Sequence, residues 1–193
     1  MDKKQLRSRL RNSLNHLTES RRSDMSKKAC RALIDTEQFR RASVIMFFLS
    51  MPREIDTTAA ILNAWQNQKI VAVPKVSPHQ KHMIPIRIHS LESGISTDQR
   101  GLRNPVTGPP VPPEDIQLVV TPGLAFDKNG NRLGRGASYY DRFFAAKQLN
   151  AAKCGFAFSC QIMNDVPVEN HDQKVDLLVT DKEIIYCNNN CGE

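Results

Sequence analysis

The chain has 193 residues, enough to bury a core without disulfides or a structural metal, and it reads as one generous domain over 1–193. Hydrophobic residues make up 40% and charged residues 24%, which excludes an intrinsically disordered chain, and no apolar run approaches the roughly 18–20 residues of a membrane span. The net charge of +7 lies wholly in residues 1–41, with 12 basic and 5 acidic side chains, so an anionic partner is expected: nucleic acid, anionic lipid or a phosphorylated small molecule.

The opening Met1-Asp2-Lys3-Lys4 has no apolar stretch behind it, so it is not expected to be a secretory signal. Leu6, Leu10, Leu14 and Leu17 then recur at helical spacing, with Lys3, Lys4, Arg7, Arg9 and Arg11 around them. A second helix, from about Ser23, carries Met25, Ala29, Leu33 and Ile34 in the same way. These two helices make 1–41 a basic N-terminal segment. From residue 43 the texture changes, because 43–50 is a continuous apolar run of strand length, as in a strand buried on both faces. Residues 57–68 predict a helix capped by Asp56 or Thr57, and 70–74 a second buried strand. Residues 83–89 alternate like a half-exposed strand. Residues 91–114, with three glycines and four prolines between Pro109 and Pro113, read as connection rather than element. A buried strand at 116–122, a helix at 139–148 and strands at 153–159 and 175–180 complete the pattern. Cys187 and Cys191 flank three asparagines, so 187–193 reads as a frayed tail. Five cysteines without a zinc-ribbon pattern suit a reducing cytoplasm. Strands alternating with helices predict an α/β domain with a mainly parallel sheet flanked by helices.

The densest chemical signal is 121–142, where a buried strand runs into a glycine-bearing loop and then a helix. Gly134 and Gly136 let the backbone approach an anion closely, and Arg132 and Arg135 add charge and forked donors. The loop lacks the Gly-Lys-Ser/Thr ending of a Walker A loop and the glycine spacing of a dinucleotide fingerprint. Taken alone, it also fits a basic hairpin with a structural Gly-Arg-Gly. Asp141 beside such a loop suits Mg²⁺, which takes one or two carboxylates with phosphate oxygens and water; it equally suits a helix N-terminus. Asp172 and Asp176 are further candidate ligands or supports for ligands, whereas His171 reads as an ordinary loop histidine. Leu49, Met51 and Glu54 follow the first strand, at the end where α/β proteins bind ligands, and Glu54 can accept hydrogen bonds from a heterocycle. His79, His82 and His89 are too irregularly spaced for a metal site.

Three separated blocks together resemble the 5-formyltetrahydrofolate cyclo-ligase family, also called methenyltetrahydrofolate synthetase. They are 122–141 (PGLAFDKNGNRLGRGASYYD), 48–54 (FLSMPRE) and 166–172 (VPVENHD), with Lys3-x-x-x-Arg7 similar to the family's opening. The family usually has a glycine before its tyrosine pair, where this chain has Ser138 preceded by Ala137. The resemblance implies a NagB/RpiA/CoA-transferase-like fold and an ATP- and Mg²⁺-dependent ligase converting 5-formyltetrahydrofolate, including polyglutamylated forms, to 5,10-methenyltetrahydrofolate, ADP and phosphate. It further implies that Lys3, Arg7 and the loop Arg132, Leu133, Gly134, Arg135, Gly136, Ala137, Ser138, Tyr139 and Tyr140 bind the nucleotide. By the same resemblance Leu49, Met51, Glu54 and residues 135–139 contact the folate, Arg135 and Tyr140 are catalytic, and Asp141 and Asp172 hold the metal. The expected enzyme is cytoplasmic, not membrane-bound, and a monomer or weak homodimer. Two other readings stay open: a folate- or nucleotide-binding relative with weakened catalysis, and a basic nucleic-acid-binding module. Absence of aromatics before Phe39 weighs against the last, and Lys3 and Arg7, one helical turn apart, suit a polyphosphate better than a duplex.

Overall fold

Apolar residues at helical spacing open the chain, and the computed structural model, which describes residues 2–77, 82–99 and 101–187, turns them into helices. These are α1 (Lys3–Asn15), α2 (Glu19–Ile34) and α3 (Glu37–Arg41). Asp2 caps α1 by accepting from the Gln5 amide, and Thr18 and Thr36 cap α2 and α3 through their hydroxyls. The Thr18 cap starts α2 four residues before the expected Ser23; its first turn is polar, so no apolar period marks it.

The body follows with β1 (Val44–Met46), α4 (Thr58–Gln66), β2 (Ile70–Ser77), β3 (His82–Arg87), β4 (Ile95–Thr97) and β5 (Arg103–Pro105). Then come β6 (Leu118–Thr121), β7 (Ala125–Asp127), β8 (Arg132–Leu133), α5 (Tyr139–Phe144), β9 (Ala152–Phe156), β10 (Ile162–Met163), β11 (Leu177–Val179) and β12 (Ile184–Tyr186). The main sheet runs β12-β11-β9-β6-β1-β2-β3, with the five inner strands parallel and both edge pairs antiparallel. This is the expected mainly parallel α/β sheet.

Strand residues alternate between two cores, as period-two geometry requires. Ile45, Val71, Val73, Leu118, Val120, Leu177 and Val179 pack with α2, α3 and α4 on one face. Met46, Ala72, Val119 and Leu178 pack with Phe143 and Phe144 of α5 on the other. A second sheet, β10-β7-β8, holds a small third core in which Leu6 of α1 meets Ala125, Leu133 and Val166. α1 is thereby pinned beside the loop that follows β8.

Several expectations are corrected. Residues 91–114 contain the β4–β5 hairpin, tied to β2 by the Val76 amide donating to Asn104 Oδ1. α5 ends at Phe144 rather than 148, because Leu149 and Ala151 are buried and draw the chain back to β9. Of the two caps expected for α4, Thr57 makes no side-chain capping bond, whereas Asp56 does serve, its Oδ1 accepting from the Thr58 amide and hydroxyl. His79 and all but Cys187 of the expected frayed tail fall outside the described residues, while Cys187 itself donates its amide to Asp176 O.

Candidate active site

The chain moves from β1 outward to β2 and β3, then returns to β6 on the other side of β1 and continues outward to β9 and β11. Strand order therefore reverses between β1 and β6, and the crevice beyond the carboxyl ends of such strands is the natural ligand site of an open α/β sheet. A cavity of about 850 Å³ opens there, with Leu49 beyond β1 and Pro122 and Gly123 beyond β6 in its wall. Every site residue that the family resemblance implies lines it: Lys3 and Arg7 from α1, Leu49, Met51 and Glu54 from the β1–α4 loop, 132–141 from β8 through α5, and Asp172 from the late loop. Asp176 is the exception among the weaker candidates. It accepts from the Lys153 amide at 2.7 Å and braces β9 against β11 instead.

Each element presents its residues for a local reason. α1 buries Leu6 and Leu14, which turns the flanking face of Lys3, Arg7 and Arg11 toward the cavity. Lys3 Nζ donates to Asp172 Oδ2 at 2.5 Å and lies 3.4 Å from Glu169 Oε1. Burial pushes the Asp172 carboxyl up, but the Lys3 hydrogen bond, the Glu169 amide and the Lys3 charge outweigh it, leaving it below its ordinary value. Arg7 Nε donates to the Gly134 carbonyl at 2.9 Å. Gly136 takes φ +109°, a conformation closed to most side chains, and Arg7 lies 3.7 Å from where its Cβ would stand. Ser138 occupies the left-handed region at φ 51°, ψ 30° and leads directly into α5. Among the described residues, no backbone N–H from Arg135 to Asp141 donates to a protein acceptor, which leaves a run of donors on the cavity wall.

Beneath this loop, Arg132 Nη2 donates to Asp141 Oδ1 at 2.7 Å, with side chains only 4% and 9% exposed. Its guanidinium also lies 5.5 Å from the Tyr140 ring centroid. The Tyr140 hydroxyl is buried with no hydrogen-bond partner among the described residues, and burial, with the Glu54 charge adding, raises its pKa against the pull of Arg132. At the mouth, Arg135 Nε and Nη2 donate to Glu54 Oε1 at 2.9 and 2.7 Å, while Glu54 Oε2 accepts from the Met51 amide at 2.9 Å.

Asp141 and Asp172 are thus already paired with protein cations, and no group of three or more possible metal ligands occurs among the described residues. Asp141 Oδ2 accepts no hydrogen bond among them, and Asp172 Oδ1 lies 3.8 Å from His171 Nε2. One unoccupied oxygen on each carboxylate fits a hard cation that takes most ligands from phosphate and water, not a cage built of protein alone.

Sequence reasoning missed Arg11, Met83, and the Asp98, Leu102 and Arg103 of the β4–β5 hairpin. Arg11 was findable, standing four residues beyond Arg7 on the same helical face. The hairpin residues carried no signal, because only the antiparallel pairing of two three-residue strands brings them to the cavity.

Comparison with known proteins gives concordant findings. A family model described as the 5-formyltetrahydrofolate cyclo-ligase family matches residues 1–181. The chain is 30% identical over 194 residues to the 5-formyltetrahydrofolate cyclo-ligase of Mus musculus, covering 95% of this chain and 93% of the relative. It is 28% identical over 181 residues to that of Haemophilus influenzae, covering 92% and 97%. The solved 5,10-methenyltetrahydrofolate synthetase of Aquifex aeolicus superposes with a TM-score of 0.84 at 30% identity, covering 100% of this chain and 96% of the other. The Mycoplasma pneumoniae structure, with TM-score 0.77 and 22% identity over 94% of this chain and all of the other, shares the fold.

Proposed function

The chain belongs to the 5-formyltetrahydrofolate cyclo-ligase family and is an enzyme of that ligase class, and from this premise we propose that it closes 5-formyltetrahydrofolate to 5,10-methenyltetrahydrofolate at the expense of ATP. The chemical difficulty is that a formamide oxygen leaves poorly. Transfer of the γ-phosphoryl group to that oxygen makes it a phosphate leaving group; the nearby aniline nitrogen then attacks the activated carbon, and phosphate departs as the ring closes. The protein's part is positioning and charge neutralisation.

The observation that carries this reading is the convergence of α1, the β1–α4 loop, the 132–141 loop and Asp172 on one cavity at the strand-order reversal. Lys3, Arg7 and the free amides of 135–141 would hold the polyphosphate. Leu49, Met51 and Glu54 would hold the pterin, with Glu54 accepting from its N–H groups. Arg132 keeps Asp141 and Tyr140 in place, Tyr140 offers its unpartnered hydroxyl as a donor, and Arg135 is the cation available to the transferring phosphoryl group. Asp141 and Asp172 would hold Mg²⁺, which when bound neutralises phosphate charge. Among the described residues no helix is long and apolar enough to cross a membrane, and Cys30, Cys154, Cys160 and Cys187 are free thiols. The free thiols fit the reducing cytoplasm proposed for this single-domain enzyme.

The test follows methenyl absorbance with Mg-ATP and 5-formyltetrahydrofolate. Product should require both substrates, and Arg135→Ala should lower turnover by about tenfold or more. Folded protein that binds folate yet forms no product would instead support the weakened relative.

A further inference from the structure

Resting on the function proposed above, the geometry points to Glu54 as a substrate-operated latch on Arg135: it withholds the guanidinium from the nucleotide until folate takes its place. The two residues stand 81 positions apart, one on the β1–α4 loop and one on the glycine loop, so their pairing joins the folate and nucleotide sides of the cavity.

The argument is a count of lone pairs. A carboxylate offers about four acceptor positions. Arg135 Nε and Nη2 take both on Oε1, and the Met51 amide takes one on Oε2. A pterin edge presents an N–H and an amino group side by side, a fork that needs both oxygens of one carboxylate. Oε2 has room for one donor, but Oε1 has none until Arg135 gives up one of its two bonds. Pterin bound there therefore breaks the two-bond grip of Glu54 on Arg135, and the loosened guanidinium remains in the cavity wall beside Gly136 and Ser138.

Exchange is feasible because the pair is lightly held. The Arg135 side chain is 42% exposed and Glu54 13%, and solvent-exposed ion pairs are weak. The Arg132–Asp141 pair, far more buried, is not such a switch. Glu54 thus acts on nucleotide through Arg135, as a positioning residue as well as a folate contact. Nucleotide and folate binding must then be coupled, and by linkage the coupling is reciprocal.

The experiment measures binding of adenylyl imidodiphosphate with Mg²⁺ by calorimetry, without folate. Glu54→Gln keeps an acceptor for the Met51 amide but loses the charge that retains Arg135, so it should bind the analogue tighter than the unmodified enzyme, on the order of fivefold. In the Arg135→Ala background the same change should bring no gain. Wild-type affinity should rise by a similar factor when 5-formyltetrahydrofolate is added. A local folding defect would weaken binding, so tightening separates the latch from a merely structural role, and Glu54→Ala serves if the Gln variant is unstable. If the wild type binds nucleotide but Glu54→Gln binds it equally or more weakly, the latch is overturned and the proposed function survives. If neither binds nucleotide, both fall.

Discussion

Ser138 is the one position where the chain leaves the pattern of the glycine loop, and its backbone shows what that costs. A left-handed conformation costs an ordinary residue about 1–2 kcal/mol, and Ser138 adopts it at φ 51° between the cavity loop and α5. Replacing it by glycine removes that strain but frees the unfolded chain by about 0.4–1 kcal/mol, so the two effects partly cancel. The net expectation for Ser138→Gly is a gain on the order of 0.5–1 kcal/mol, or roughly 2 °C in melting temperature. Thermal denaturation decides it, and an unchanged or lower midpoint would show that the surrounding loop pays no strain at this position. The departure itself was legible in the sequence, because a serine stands where the resemblance calls for glycine. The matching left-handed geometry of Arg53, on the loop that carries Glu54, was not legible, since nothing in Met-Pro-Arg-Glu marks a turn that needs φ of 73°.

Elements show the same division between pattern and context. The strands at 44–46 and 118–121 and the first half of 70–77 announce themselves as apolar runs, because a parallel strand covered on both faces has no polar side to display. β7, β8, β10 and β12 are two or three residues long, too short for any period, and exist only through their partners. The docking of α1 lies between these cases: its leucine stripe predicts a buried face, but not that Leu6 enters the small core beside β8 while Lys3 reaches Asp172. That contact makes a pH prediction. The Asp172 carboxyl sits below the ordinary carboxylate range when folded, so its contribution is present above that range and is lost as pH falls through the lowered pKa. Lys3→Met keeps the apolar stem and removes the charge. It should cost on the order of 1–2 kcal/mol at pH 7, raise the Asp172 pKa and leave less stability to lose in acid. Urea midpoints at pH 7 and pH 3, with a carboxyl NMR titration of Asp172, measure all three. A variant as acid-sensitive as the wild type would remove the contact from the account of α1 docking.

Across the whole chain, the +7 on residues 1–41 is far more than one ligand requires. The structure divides those cations by position. Lys3, Arg7 and Arg11 line the cavity, whereas the α2 residues Lys27, Lys28 and Arg31 are exposed and do not. α2 instead buries Ala29, Cys30 and Leu33 in the core it shares with α4. At about 0.15 M salt, screening sets in over about 8 Å, so exposed charges away from the cavity contribute little to what happens inside it. Neutralising Lys27, Lys28 and Arg31 together to Gln should therefore leave the KM for ATP within about twofold at that ionic strength. Near 0.01 M, where the screening length is about 30 Å, the same variant should show a higher KM, because longer-range attraction of the anionic substrate has been removed. A nucleic-acid surface on α2 predicts something else: salt-steep polynucleotide binding whose slope against log salt falls by nearly three when three phosphate contacts are lost. Measuring KM and polynucleotide affinity for both proteins across that salt range distinguishes a long-range electrostatic field from a docking face. Polynucleotide binding that collapses in the variant would give the N-terminal charge a second partner.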